Sequence, residues 1–362
     1  MSSGKKARGR SQAATLSSGG GGRIGALPDA LLHHILSFLP AQQAVQTCVL
    51  ARRWLHLWKS ATGVRIVGAD DGEESAAPFE EVRVFVDNLL LLRGCSPLET
   101  LELRFSGDSS MDLPRIRLWI RHAVLCKVQV LQFKIFGAPA LFEPDNPPLV
   151  SEHLTRVELR GIVFNDDTFL DFSRCPSLLD LHIEVCHITN AKSISSKSLK
   201  HLTITQGSFS YSSRTRIHAP NLLSLDLHVV WGRIPLLERM PSLVWAVVTV
   251  SSLCLDTCYY RPDYGDCGEE SCDGCMQDDS STVLLQGLSQ AKRLSLTAAT
   301  RTGPKHKVEM KGWLNAKDLS CAIYAHLKRV EVKCEVVDDR VLKVLRFLSK
   351  LNLCFSFKEM GV

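Results

Sequence analysis

No apolar run in this 362-residue sequence is long enough to cross a bilayer. The longest, near Leu89–Leu92 and Leu243–Leu255, are too short or too broken by polar residues. No hydrophobic segment follows the basic residues at the N-terminus, so no secretory signal is expected. Acidic residues are missing from positions 1–23, which hold Lys5, Lys6, Arg8, Arg10 and Arg23. Those side chains account for the net charge of +5, since the rest of the chain carries 38 basic and 38 acidic residues. A nucleic-acid binder should carry its basic excess on a folded face. Here the excess lies on a Gly/Ser-rich stretch, residues 1–22, which reads as a disordered tail. That tail is a solvated linker or a nuclear signal, and nucleic acid is not expected as a partner.

Catalytic motifs are lacking too. There is no Gly-x-Ser-x-Gly, no P-loop and no His-Glu-x-x-His. Gly19–Gly22 has no strand before it and no Lys-Ser/Thr after it, so it is not a phosphate loop. The 12 histidines are dispersed, with His33-His34 on a helix and His182 and His228 on strands. No catalytic residue, metal or cofactor is therefore assigned. Most of the 13 cysteines stand singly in apolar contexts and read as reduced core residues of the cytosol or nucleus. The exception is Cys254, Cys258, Cys267, Cys272 and Cys275, in and just before an insertion at 256–281 with eight acids and one base. Cys272-x-x-Cys275 has zinc-ligand spacing. On a Gly/Asp loop these thiols are read as exposed and redox-sensitive instead.

What is present is a globular composition, 45% apolar and 22% charged, with length for two or three domains. Residues 23–61 predict three small helices. Leu27-Pro28-Asp29 opens the first, because proline suits a first turn and an early acid suits the positive helix end. Leu31, Leu32, Ile35, Leu36 and Leu39 recur at three- and four-residue spacing on one face, and Pro40 ends the helix. Val45, Cys48 and Val49 lie on a second helix, and Trp54, Leu55 and Trp58 on a third behind Arg52-Arg53. So small a unit cannot bury all of its apolar faces alone.

Residues 62–77 read as a linker with a strand-like run at Val64–Val67. Helices are predicted over Phe79–Gly94 and Pro114–Cys126, each before a strand. The strands follow the template Leu-x-x-Leu-x-Leu, as in Leu98-Leu101-Leu103, Val128-Leu131-Phe133, Leu154-Val157-Leu159 and Leu178-Leu181-Ile183. From Val128 through Leu154, Leu178, Leu199, Leu222 and Leu243 the intervals are 26, 24, 21, 23 and 21 residues. That is the period of a leucine-rich repeat, whose units cannot bury their apolar faces singly and must stack into one solenoid. The polar positions of the template form the opposite, concave face.

Residues Leu27-Pro28-Asp29, Ile35–Pro40, Val45, Cys48–Leu50, Arg52–Trp54 and Trp58 closely resemble an F-box. The segment beginning His326-Leu327 resembles the FBD module that follows leucine-rich repeats in plant F-box proteins, with a first strand at Val330–Val332, a helix over Asp338–Leu348 and a last strand over Leu351–Phe357. The resemblance implies an α/β chain: a three-helix F-box (23–61), a repeat solenoid or horseshoe (78–300), an irregular segment (301–325) and an FBD-like α/β cap (326–362). It also implies a non-catalytic substrate-recognition subunit of an SCF-type ubiquitin ligase, cytoplasmic or nuclear, bound to the adaptor and through it to cullin. The alternative is an adaptor-binding interaction protein outside any ligase, with a shortened repeat array. A small-molecule-gated receptor would need a longer solenoid with a basic pocket. Expected adaptor contacts are Leu27, Pro28, Leu31, Ile35, Leu36, Leu39, Val45, Val49, Leu50, Arg53, Trp54 and Trp58. Expected contacts to an unknown target protein, on the concave face, are Glu102, Arg104, Lys134, Glu158, Arg160, His182, Asp226 and His228.

Overall fold

The computed structural model describes residues 23–67, 77–107, 112–137, 140–142, 148–165, 169–251, 253–254, 257–258, 261–264, 284–298, 329–334 and 354–359. The basic tail, residues 265–281 of the acidic insertion, the segment 301–325 and the expected helix at 338–348 lie outside them.

Pro28, extended at ψ 147°, leads into helix α1 (Asp29–Ser37), and Pro40 stands in the same way before α2 (Ala41–Gln46). The expected third helix is instead two 3-10 turns, Arg52–Leu55 and Leu57–Ser60, behind an extended Ala51. Trp54 of the first turn and Leu57 of the second are both buried in one core.

The strand-like run expected at Val64–Val67 is β1 (Gly63–Ile66), the first strand of a long sheet. The sheet continues through β2 (Thr100–Gly107), β3 (Val130–Gly137), β4 (Arg156–Arg160), β5 (Asp180–Glu184), β6 (His201–Phe209), β7 (Ser224–Trp231), β8 (Trp245–Val250), β9 (Arg293–Ala298), β10 (Arg329–Cys334) and β11 (Cys354–Glu359). Every pairing along this path is parallel, and spatial order equals chain order. The template leucines stand in register: Val64, Leu101, Leu131, Val157, Leu181, Leu202, Leu225, Ala246, Leu294, Val330 and Phe355 form one row. The strands of the C-terminal segment thus extend the same sheet.

Helices α3 (Phe79–Arg93) and α4 (Leu113–Leu125) precede β2 and β3, as expected. Val82, Val86, Leu89 and Leu90 of α3, and Ile116, Ile120 and Ala123 of α4, are buried. Asp112 caps α4 by accepting from the Arg115 amide at 3.0 Å. Further along, the connections are extended: Ser193–Ser195, Arg216–His218 and Leu236–Leu237 form a small parallel sheet in place of helices.

At the ends of β3, β4, β5 and β7 the chain turns through a left-handed residue, Gly137, Gly161, Val185 and Gly232, and Gln206 takes the same conformation inside β6. At Gly161 a Cβ would sit 2.2 Å from the Ile135 carbonyl oxygen, so backbone approach as well as φ demands glycine. Val185 holds the same conformation at φ 49° despite its branched side chain.

Candidate protein-interaction surfaces

Helix α1 has apolar side chains on two faces. Leu32 and Leu36 are buried in the intramolecular core with Trp54, Leu57 and Trp58. Leu31 (50% exposed), Ile35 and Phe38 follow each other at four- and three-residue steps on the other side and remain in solvent. Beyond α2, Val49 and Leu50 are 81% and 66% exposed, and Ile24 and Leu55 are also exposed. Large apolar side chains left in water at this density make a candidate partner surface. The arrangement divides the expected adaptor contacts. Pro28, Leu31, Ile35, Val49, Leu50 and Arg53 are outward, and Leu27, Leu39 and Val45 are half-buried. Leu36, Trp54 and Trp58, also expected as contacts, point inward instead, because α1 and the 3-10 turns need them to close on β1 and α3. Phe38, Ile24 and Leu55 join the outward set, and Phe38 was legible as the seventh residue after Leu31. Arg53 is structural as well: its guanidinium donates to the Leu27 carbonyl at 2.6 Å and to Asp29 at the start of α1.

This helical unit is fastened to the sheet. Arg93, at the end of α3, is 5% exposed and donates to the carbonyls of Trp58 (3.1 Å) and Ala61 (2.9 Å). Burial pushes its pKa down to about 10, which leaves it protonated at neutral pH. Arg65 on β1 donates to the Phe38 carbonyl at 2.9 Å and to Glu102 at 2.7 Å. A Cβ at Gly63 would approach Ser37 at 3.0 Å, so β1 and the end of α1 are in close contact.

On the polar sheet face the expected target contacts do share one side, in rows across the strands. Glu102, Gln132, Glu158, His182, Thr203 and Asp226 form one row, and Arg104, Lys134, Arg160 and Glu184 the next. Thr205 does not oppose His228 singly, because a bulge after Ile204 shifts the register by one residue. The charges are largely spent on each other. Glu102 is buried between Arg65 and Arg104 (3.2 Å). Glu158 is buried between Lys134 (2.9 Å) and Arg156 (2.8 Å), and Arg160 pairs with Glu184 at 2.6 Å. Glu102 and Glu158 are therefore struts of the face, not free contacts. Burial opposes the charge on Glu158, but Lys134, Gln132 and Arg156 outweigh it and hold its carboxyl below the usual range. Burial raises the Asp226 carboxyl, with His228 and His182 pulling the other way. Arg160 also lies 4.8 Å from the centre of the Phe136 ring.

Of the clustered cysteines, Cys267, Cys272 and Cys275 lie outside the described residues. Cys254 is half-buried and its thiol donates to the Val229 carbonyl at 3.4 Å. Among the described residues no three His, Cys, Asp or Glu side chains gather as a metal site, and no helix is long and apolar enough to cross a membrane.

Residues 24–62 match the F-box domain, the segment that builds the helical unit and enters β1. A domain of this kind generally binds the adaptor of SCF complexes. Over more of its length the chain is similar to plant F-box proteins of the leucine-rich-repeat and FBD types. It is 30% identical over 231 residues to the meiotic F-box protein MOF of Oryza sativa subsp. japonica, covering 58% of this chain and 46% of that one. It is 29% identical to an FBD-associated F-box protein of Arabidopsis thaliana (63% of this chain, 61% of the relative) and 27% identical to an F-box/FBD/LRR-repeat protein of the same plant (63% and 60%). The chain thus spans about half to three fifths of the length of these relatives.

Proposed function

We propose that the chain is a substrate-recognition subunit of an SCF-type cullin-RING ubiquitin ligase, without catalytic residues of its own. The F-box binds the adaptor and through it cullin. The stacked strands form a leucine-rich-repeat solenoid closed by an FBD-like end, and present a target protein. The observation that carries this reading is the F-box at residues 24–62 with Leu31, Ile35, Phe38, Val49 and Leu50 left in solvent. The chemistry asked of the chain is proximity: a target held on the sheet sits at high effective concentration beside the ligase. The fastening through Arg93 and Arg65 supports this, because it ties the adaptor side to the target side. Cytoplasm and nucleus are the compartments that fit such a role.

The test is direct binding of purified adaptor to the purified chain by calorimetry. Wild type should bind. Val49→Asp with Leu50→Asp should weaken binding by about tenfold or more, since buried apolar anchors at such interfaces are each worth about 2 kcal/mol. Absence of binding by wild type would remove the proposal.

A further inference from the structure

Where three neighbouring strands end, His187, Ser208 and Trp231 stand in one row: Ser208 is paired with His187 on one side and with Trp231 on the other. The bulge in β6 creates this row. Gln206 turns left-handed at φ 52°, and the extra residue reverses the alternation of the strand. As a result Phe209 enters the core and Ser208 does not. Beyond β6 the hydroxyl of Ser210 accepts from the amides of Ser212 and Ser213, both at 3.2 Å, and folds a tight turn. The turn holds Tyr211 half in solvent. It is pinned to the end of β7, where the Arg233 amide donates to the Ser210 carbonyl at 2.9 Å. Gly232 lies so close to it that a Cβ there would meet the Phe209 carbonyl oxygen at 1.9 Å.

These elements enclose an open cleft of about 350 Å³, with Tyr211, Trp231 and Asn190 among its lining residues. That volume is at the small end of ligand clefts, about 300–1,000 Å³. Its lining includes no Asp, Glu, Lys or Arg, in contrast to the ion-paired face further along the same strands. A charged ligand finds no carboxylate, ammonium or guanidinium group to pair with here. Its lining instead includes two half-exposed aromatic residues, Tyr211 and Trp231, and side chains that carry hydrogen-bonding groups: an indole N–H, a phenolic hydroxyl and the amide of Asn190. A segment in the polyproline II conformation is the complement of such a surface. It makes no internal hydrogen bonds, so its carbonyls are free to accept, and its pyrrolidine rings are apolar. Aromatic-lined grooves are a recurrent means of binding it. A sugar would also stack on the rings, but the lining has no carboxylate to grip paired hydroxyls.

We propose that this cleft takes a proline-containing, extended segment of a target protein. The inference rests on the receptor reading above and names the chemistry the target presents. The aromatic pair, not the charged rows, is then the energetic centre of recognition, as Trp and Tyr are at other interfaces.

The test titrates the purified full chain with a capped decaproline peptide, followed by tryptophan fluorescence. A Gly/Ser peptide of equal length and a tetramer of N-acetylglucosamine serve as comparison probes. Decaproline should bind saturably and the other two should not. Tyr211→Ala and Trp231→Ala should each weaken decaproline binding by about tenfold or more. Both residues are about half exposed, and melting curves of the two variants check that they fold. If Trp231→Ala fails to fold, Tyr211→Ala and Trp231→Phe carry the test, and Trp231→Phe should bind more weakly through loss of the N–H. No saturable decaproline binding, equal binding by wild type and the folded variants, or saccharide binding that Tyr211→Ala abolishes each overturns the proposal. Adaptor capture measured on the same preparations reports on the ligase reading separately, since the F-box lies outside the cleft.

Discussion

The guanidinium of Arg93 donates to the backbone carbonyl of Trp58 at 3.1 Å, across 35 residues of sequence, in an environment from which water is almost excluded. Its second nitrogen holds the Ala61 carbonyl, so one side chain satisfies two carbonyls where the F-box passes into β1. A buried carbonyl left without a donor costs about 1–3 kcal/mol.

Arg93→Met should therefore destabilise the chain by about 2 kcal/mol or more, measured by urea denaturation. It should also make the F-box and sheet unfold in separate steps. A single transition at the wild-type midpoint would show that the junction does not depend on this residue.

The left-handed positions predict opposite outcomes for similar substitutions. Gly161→Ala places a methyl group against the Ile135 carbonyl and should cost more than about 2 kcal/mol. Val185→Gly relieves a branched residue from the same conformation and should be neutral or stabilising by up to about 1 kcal/mol. Thermal melts of the pair check this, and equal destabilisation by both would contradict the turn assignment.

Glu158 predicts an acid-sensitive face. Its folded pKa lies below the ordinary 4.5, so its stabilisation is complete above that value and is lost as pH falls through the folded pKa. Glu158→Gln should cost about 1–3 kcal/mol at pH 7 and progressively less in acid. A pH-independent difference between the two proteins would contradict the Lys134–Glu158–Arg156 arrangement.

The same ion pairs bear on the charged rows. Arg104, Lys134 and Arg160 lie beside Glu102, Glu158 and Glu184, so reversal to Glu would put like charges together and disturb folding. Neutral Gln replacements probe recognition with less damage. If the cleft at Trp231 is the centre of recognition, the triple Gln variant should lose little target binding in co-precipitation, and Trp231→Ala should lose most.

Much of the sheet was legible because the template leucines carry their own period, and rows such as Leu101–Leu131–Val157 need only that period to be placed. The first strand was half-legible: Val64 and Ile66 alternate correctly, but the polar residues after them read as a linker. The F-box faces were not separable by spacing, since Leu31 and Leu32 are both apolar and only packing decides which is inward. The inward setting of Trp54 and Trp58 was not legible, because a motif shows which residues recur together and not which way they point. The ion pairs needed neighbouring strands some 24 residues apart, as for Arg160 and Glu184. The cleft drew on three strand ends and a turn, and its one local sign was Gly207 inside a strand, a mark of a bulge.

The most direct measurement of the central claim is co-purification of adaptor and cullin with the full chain, comparing wild type with Leu31→Asp plus Ile35→Asp. Both side chains are exposed, so the double variant should keep the wild-type melting temperature. The account predicts that wild type brings down both partners and that the variant, still folded, loses both. Undiminished capture by the folded variant, or none by wild type, would contradict it.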